Sequence, residues 1–254
     1  MSDLITVQGV VLSAMPVGEY DRRIVLLTRE KGKIAVFCRG ARRMNSPFMA
    51  ASSPFVFGDF TLYEGRSSYN LNHVDIRHQF SSLASLQPGI YYGYYFLELA
   101  DYFGREGTDE KEMMNLLYVS AKALLNPAIR DRLVCCIFEF RTMTIQGMMP
   151  EIYSCLSCGK KLSVEDDLYF SMSEHGAFCG KAHPLPPDAF RISYVALYTL
   201  QYIAAAPMTK LYGFEAAESL LQELESIIHT YTDANTDRKF RSLDVLEAMV
   251  PDQI

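Results

Sequence analysis

The sequence predicts an α+β chain in several parts: a small β-barrel first, then a mostly α-helical body with a cysteine-rich segment inserted in it. Three observations predict this. Short β-type runs at close spacing fill the first eighty residues. Apolar residues recur at helical spacing from about residue 81. Paired cysteines sit in a stretch that loses the helical period. At 254 residues the chain exceeds the common single-domain size, and 49% hydrophobic with 21% charged residues is a globular composition. Boundaries fall at 1–80 for the barrel and 81–254 for the helical part, with the insertion at about 150–190.

The elements follow in order. Ile5 to Met15 is rich in Val and Leu and is broken by Pro16-Val17-Gly18. Arg23 to Thr28 is a second apolar run, and Glu30-Lys31-Gly32 turns it into Lys33 to Cys38. A basic glycine-containing loop, Arg39-Gly40-Ala41-Arg42-Arg43, leads into a polar, small-residue segment ending at Ser53. Phe55 to Tyr63 is a fourth strand whose Gly58-Asp59 marks a bulge or bend; after the turn Glu64-Gly65-Arg66, Tyr69 to Ile76 is the fifth. Five short strands with glycine at the corners suit a closed barrel.

Leu83, Leu86, Ile90, Tyr94, Leu97 and Tyr102 then follow a helical period, with Pro88-Gly89 bending or starting the helix. Asp109 opens another with an acidic first turn. Asn126-Pro127 reads as an N-cap with proline at the first helical position, for a helix to Gln146 that Gly147 ends. Tyr194 to Ala205, Ala216 to Tyr231 and Ser242 to Met249 are the remaining helices.

Charge is unevenly distributed. Net charge is −6, yet residues 1–79 hold ten Lys/Arg against seven Asp/Glu, and the rest hold fourteen against twenty-three. A basic head on an acidic body is compatible with an anionic ligand at the head. The N-terminal Met-Ser-Asp-Leu-Ile-Thr-Val has no basic or apolar leader character, and no apolar run reaches bilayer length. A cytoplasmic protein with no membrane partner is expected.

Cys155-Leu156-Ser157-Cys158-Gly159 is a C-x2-C knuckle, and Cys179-Gly180-Lys181-Ala182-His183 adds C-x3-H twenty residues on. Two short-spaced pairs joined by a hairpin supply the four S/N ligands that zinc takes in a tetrahedron: Cys155, Cys158, Cys179 and His183. His175, four residues before Cys179, competes for the fourth place, and Lys160, Lys161 and Lys181 would offset thiolate charge. The competing readings are plain thiols or a redox CxxC pair, which normally starts a helix in a βαβ context absent here. The expected role is structural Zn2+: no HExxH and no H-x-E…P-C-x-x-C pattern occurs.

A barrel of the OB type grips single-stranded nucleic acid with a basic groove and aromatic stacking platforms. The candidates are Arg22, Arg23, Arg39, Arg42 and Arg43, with Tyr20, Phe37 and Tyr63 for stacking. The bland alternative is a solvated loop and core aromatics. Arg130, Arg132 and Arg141 lie beside Leu133, Ile137 and Phe138, where a pocket could receive an acidic peptide ending in an aromatic residue; ordinary ion pairs are the alternative. His73, His78 and His229 read as structural.

These pieces resemble a known family. Gly9-Val10-Val11-Leu12 … Glu19-Tyr20-Asp21-Arg22 … Leu26-Leu27-Thr28 … Gly32-Lys33 … Arg39-Gly40-Ala41-Arg42-Arg43 resembles the N-terminal signature of the bacterial recombination mediator RecO. Phe138-Glu139-Phe140-Arg141 … Gly147-Met148-Met149-Pro150-Glu151 … Cys155-Leu156-Ser157-Cys158-Gly159 resembles that family's lead-in to its zinc segment. The resemblance spans residues from about 5 to about 250. It implies an OB-fold, a helical domain with a zinc element, and a non-catalytic, nucleoid-associated role in recombinational repair. It further implies binding of single- and double-stranded DNA, strand annealing, work with RecR, contact with the acidic tail of single-stranded DNA-binding protein, and help in loading RecA. One departure stands: zinc-bearing relatives have C-x2-C as the second pair, whereas Ala182 occupies that position here and His183 follows it. No G-x-x-x-x-G-K-[ST] loop occurs, so no ATPase is expected. Two other readings remain: an OB-fold interaction module with structural zinc and no DNA binding, and a zinc-dependent nucleic-acid enzyme.

Overall fold

The computed structural model describes residues 3–65, 68–180 and 183–249. Arg66, part of the basic balance and of the turn after the fourth strand, and Lys181 and Ala182 in the second cysteine motif lie outside the described residues. The chain forms two compact units, residues 1–125 with 240–246, and residues 126–239 with 247–254.

The first unit is built on five strands, β1 (Asp3–Val17), β2 (Asp21–Thr28), β3 (Gly32–Cys38), β4 (Val56–Glu64) and β5 (Tyr69–Gln79). In the order β1-β2-β3-β5-β4 they close on themselves; β1 pairs antiparallel with β2 and β4, and β3 meets β5 in parallel at Val36–Tyr69 and Phe37–Asn70. Alternation along β3 sends Ile34, Val36 and Cys38 inward and leaves Lys33, Ala35 and Phe37 partly exposed. Val7, Val11, Ile24, Leu26, Phe60, Leu62 and Leu71 complete the interior.

Gly58 marks a real bend. Phe57 pairs with His78 but Gly58 with Ile76, so Arg77 is the extra residue, and a Cβ on Gly58 would come 2.5 Å from the Asp75 carbonyl oxygen. The segment after the basic loop is not all coil, because it contains the short helix α1 (Phe48–Ala51). A 3-10 turn covers Ser81–Ser85, and α2 (Gly89–Phe103) begins after Pro88, so Leu83 and Leu86 precede the helix they were expected to join. Helix α3 (Lys111–Leu124) starts two residues after Asp109, whose Oδ1 instead accepts from the Lys111 N–H at 2.9 Å.

The first unit runs past residue 80 because part of the outer barrel face is apolar. Phe57 packs edge-on to Tyr118 of α3 at 5.7 Å, and Phe55 to Tyr94 of α2 at 5.5 Å. Phe240, just before α7 (Arg241–Met249), lies edge-on to Tyr95 and Tyr102 of α2.

In the second unit the expected helix start at Asn126-Pro127 is a turn. Asn126 Oδ1 accepts from Ala128 N–H at 3.1 Å and its carbonyl from Ile129 N–H at 3.0 Å; α4 (Asp131–Ile145) begins only after extended Arg130. Asparagine's short side chain closes either structure, and here it closes the turn. Gly147 ends the helix at φ +71°. The inserted segment forms a sheet of β6 (Leu168–Ser171), β7 (Gly176–Cys179) and β8 (Phe190–Ile192) in the order β7-β6-β8. Helix α5 (Tyr194–Ala205) has Ser193 as N-cap, accepting from Ala196 N–H at 3.0 Å. Helix α6 (Glu218–Ala234) buries Leu221, Leu224, Ile227, Ile228 and Tyr231, leaves Leu220 half-buried, and packs on α4.

Candidate nucleic-acid interface and metal centre

The basic loop is fixed by its neighbours. Gly40 takes φ +67°, a conformation open to glycine at little cost, and buried Ala41 anchors the loop. Asp21 Oδ1 accepts from Gly40 N–H at 2.7 Å, and the Tyr20 carbonyl accepts from Arg42 N–H at 2.8 Å. The loop is thereby tied to the turn joining β1 and β2.

The five arginines take different places on this end. Arg22 pairs across strands with Pro16 and Cys38, and its Nη1 donates to the Met49 carbonyl at 2.9 Å and to Ser52 Oγ at 3.0 Å. Arg23 lies opposite Met15 and Phe37, on the other side of the wall. Arg42 Nη1 donates to the Gly18 carbonyl at 3.2 Å, Arg43 stands over the Tyr20 ring at 5.2 Å, and Arg39 is exposed. Among the described residues, none of the five forms an ion pair with a carboxylate. Elsewhere in the same unit Lys31 pairs with Glu64, Lys33 with Asp101 and Arg77 with Asp59.

Of the expected stacking residues, Tyr20 is 46% exposed beside the loop. A hydrogen bond to Glu19 holds its phenol pKa up, while the Arg43 cation pulls the other way. Phe37 is half-buried next to Arg23. Tyr63 pairs with Leu4, at the opposite end of β1 from Tyr20, so it does not join this group. Burial pushes the Cys38 thiol up to about 12 against the lowering influence of Arg22, which leaves it an unreactive core residue.

A cavity of about 550 Å3 opens here, with Arg22 and Arg42 among its walls. It also contains Tyr94, which the helical period placed on an apolar face but which is 47% exposed. Only the packing of α2 against the barrel separates Tyr94 from the core tyrosines Tyr92 and Tyr95.

In the second unit the backbone closes the cysteine knuckle. Gly159, at φ +70°, donates to the Cys155 carbonyl at 2.8 Å, and Cys155 N–H donates to the Lys160 carbonyl at 2.8 Å. Strand β7 delivers Cys179, whose N–H donates to Cys155 Sγ at 3.3 Å. His183 Nε2 lies 3.4 Å from Cys155 Sγ and 3.6 Å from Cys179 Sγ, and the Cys158 and Cys179 sulfurs are 3.5 Å apart. All four ligand atoms lie within 4.8 Å of one another, and the group could hold a metal ion. A tetrahedron with metal–sulfur bonds of about 2.3 Å has edges of about 3.8 Å, so the spacing fits zinc's donor set. Burial raises the Cys155 thiol, but N–H groups of Cys179, Cys158 and Ser157 outweigh it and bring the pKa down to about 6, favouring the thiolate.

His175 is elsewhere: its Nδ1 is 3.3 Å from the Tyr231 hydroxyl. Lys160 is committed to Asp166 at 2.7 Å before it can serve the thiolates.

Of the remaining candidate arginines, Arg132 and Arg141 are partly buried and bonded internally, whereas Arg130 is exposed. Arg132 forks onto Glu225 at 2.7 and 2.5 Å and also bonds Glu218 at 2.8 Å. Arg141 donates to the Ile203 and Ala204 carbonyls in the last turn of α5, which have no helical partner of their own. Arg130 pairs with Glu218 at 2.6 Å and donates to the Ala216 carbonyl, yet it also borders a cavity of about 580 Å3 that includes Ile129, Leu133 and Phe214.

Comparison with known proteins covers both units. Residues 1–80 match the family model described as Recombination protein O N terminal, and residues 89–244 match Recombination protein O C terminal. The chain belongs to the RecO family. Among curated RecO proteins, the DNA repair protein RecO of Alkaliphilus metalliredigens is 29% identical over 243 residues, covering 95% of this chain and 98% of that one. The DNA repair protein RecO of Bacillus pumilus is 28% identical over 253 residues, covering 97% and 94%. That of Acetivibrio thermocellus is 27% identical, covering 95% of each. Like other members, the chain is placed with DNA repair and recombination by the family it matches. No helix among the described residues is long and apolar enough to cross a membrane.

Proposed function

We propose that the chain is a non-catalytic DNA-binding recombination mediator whose five-stranded barrel, of the OB type, holds DNA on Arg22, Arg23, Arg39, Arg42 and Arg43. The observation that carries this is clustering: the hydrogen bonds that tie the 39–43 loop to the β1–β2 turn gather these arginines at one end of the barrel, and among the described residues none of the five pairs with a carboxylate, whereas Lys31, Lys33 and Arg77 elsewhere on the barrel do. An unpaired arginine keeps its charge available to a phosphate, and such contacts dominate affinity for nucleic acid. Strand annealing then needs binding energy alone: two strands held on a cationic surface are concentrated and released into pairing.

The helical part serves as frame and docking platform. Cys155, Cys158, Cys179 and His183 hold a structural Zn2+, which when bound ties the knuckle to the β6–β7 hairpin. Four protein ligands leave no open position for a reactive water, which favours a structural site over an enzyme. Work with RecR, loading of RecA, and capture of the acidic tail of single-stranded DNA-binding protein complete the role. For that tail the cavity beside Arg130 is the candidate dock, with Ile129, Leu133 and Phe214 for an aromatic end; Glu215 and Glu218 share its wall, so an acidic tail has to displace Glu218 from Arg130. Arg132 and Arg141 act instead as internal struts.

The test is ATP-independent annealing of complementary oligonucleotides coated with single-stranded DNA-binding protein. Acceleration that disappears in an Arg39→Ala, Arg42→Ala, Arg43→Ala variant supports the reading. An unaccelerated reaction, with no salt-dependent DNA binding, removes it.

A further inference from the structure

We propose that the cavity between β1, the basic loop and α2 receives one unstacked base of a single strand, with Tyr94 as its stacking face and Arg42 on the adjoining phosphate. The inference rests on the barrel being a DNA site and deepens that reading: it makes the protein a reader of single-stranded bases as well as of phosphate charge.

The cavity, at about 550 Å3, lies within the range of about 300–1,000 Å3 typical of small-ligand sites. Its chemistry is divided. Leu12, Ala14 and Pro54 offer apolar surface, Arg22 and Arg42 bring cations, and Tyr94 supplies the exposed ring. A nucleotide divides the same way, into a flat base and an anionic phosphate. A phosphate alone would leave the apolar wall unused, and a stacked duplex cannot insert a base.

The ring of Tyr94 is also held in place. Phe55 lies against it at 5.5 Å with the planes at 60°, leaving Tyr94 partly open. Phe55 reaches that position at φ +64°, a conformation that bulky L residues rarely adopt and that clusters at binding sites. Its N–H donates to the Val11 carbonyl at 3.1 Å, beside the bulge that breaks β1–β2 pairing between Val11 and Ser13. Gly93 makes room for it, since a Cβ there would stand 2.9 Å from Phe55 Cζ. Three local departures from regular structure, a bulge, a left-handed phenylalanine and a helix glycine, thus converge on one ring. Arg22 is steadied by Met49 and Ser52, and Arg42 by Gly18, through one guanidinium nitrogen each in the hydrogen bonds they donate.

Fluorescence anisotropy with a thymidine oligonucleotide and a fully abasic oligonucleotide of equal length separates bases from phosphates. The wild-type protein is expected to bind the thymidine strand about 10-fold more tightly, within the range for stacking on one aromatic side chain. Tyr94→Ala should abolish most of that preference and leave the salt slope unchanged, and Tyr94→Phe should keep it. Photocrosslinking of a 5-iodouracil strand to Tyr94 in the wild-type protein checks the contact without any substitution. Equal binding of both strands, an undiminished preference in Tyr94→Ala, or no crosslink to Tyr94 would overturn the base pocket while leaving the DNA site intact. Failure to bind either strand would overturn the DNA site itself, and the pocket with it.

Discussion

Removing Arg39, Arg42 and Arg43 together tests the cationic surface quantitatively. Five arginines at this end lack carboxylate partners among the described residues, so five phosphates is the natural site size. For a single strand each neutralised phosphate contributes about 0.7 to the slope of log affinity against log salt, which gives about −3.5 for the wild type. Raising salt from about 50 to about 200 mM should then weaken binding about 130-fold. The triple alanine variant retains Arg22 and Arg23, its slope should fall to about −1.4, and the same salt change should cost only about 7-fold. Arg77→Ala is the control. It removes one positive charge from the same unit, but that arginine is already paired with Asp59 at 2.7 Å, so the slope should stay near the wild-type value. Anisotropy titrations at four salt concentrations measure all three proteins. Folding should be little affected, because the three arginines are exposed and, among the described residues, only the Arg42 side chain donates a hydrogen bond, to a carbonyl. An unchanged slope in the triple variant, or an equal loss in Arg77→Ala, would refute the assignment.

Other outcomes follow from the same structure. Elemental analysis should find about one zinc per chain and almost none in Cys155→Ser, with hydrogen exchange accelerated around residues 151–180 and unchanged in α2; a metal-free wild type would count against the centre. His229 of α6, half-buried against Glu139 of α4, is penalised as a cation by desolvation, but the Glu139 carboxylate 2.5 Å away, aided by Glu225 and Asp233, outweighs this and raises its pKa. The pair's stabilisation is therefore complete below the ordinary histidine value of 6.5 and lost as pH rises through the higher folded value. Melting temperatures of wild type and Glu139→Gln should accordingly converge from pH 6 towards pH 9, and parallel profiles would contradict the pairing. Phe240→Ala removes a ring that is 3% exposed and edge-on to two tyrosines, so chemical denaturation should show a loss of about 3–5 kcal/mol; a loss under about 1 kcal/mol would mean that this segment does not pack as described.

Much of this protein was determined by short-range rules that act along the sequence alone. Alternation in Lys33 to Cys38 set β3 and its inward face, because successive side chains must point to opposite sides of a strand. Gly40, Gly147 and Gly159 marked the places where the chain turns left-handed. The spacing of Cys155, Cys158, Cys179 and His183 brought four donors together because a knuckle and a hairpin end are local structures. What depended on distant partners was decided by the tertiary structure. Asn126-Pro127 carries the same signal for a turn as for a helix start, and only the packing of α4 selects between them. The charges of Arg42 and Arg132 look alike in sequence; one pairs with no carboxylate among the described residues and the other is clamped by Glu218 and Glu225 from a helix some ninety residues away. Tyr94 has the period of a core residue, and it became a cavity wall because burial depends on which faces meet, a property that no local spacing encodes.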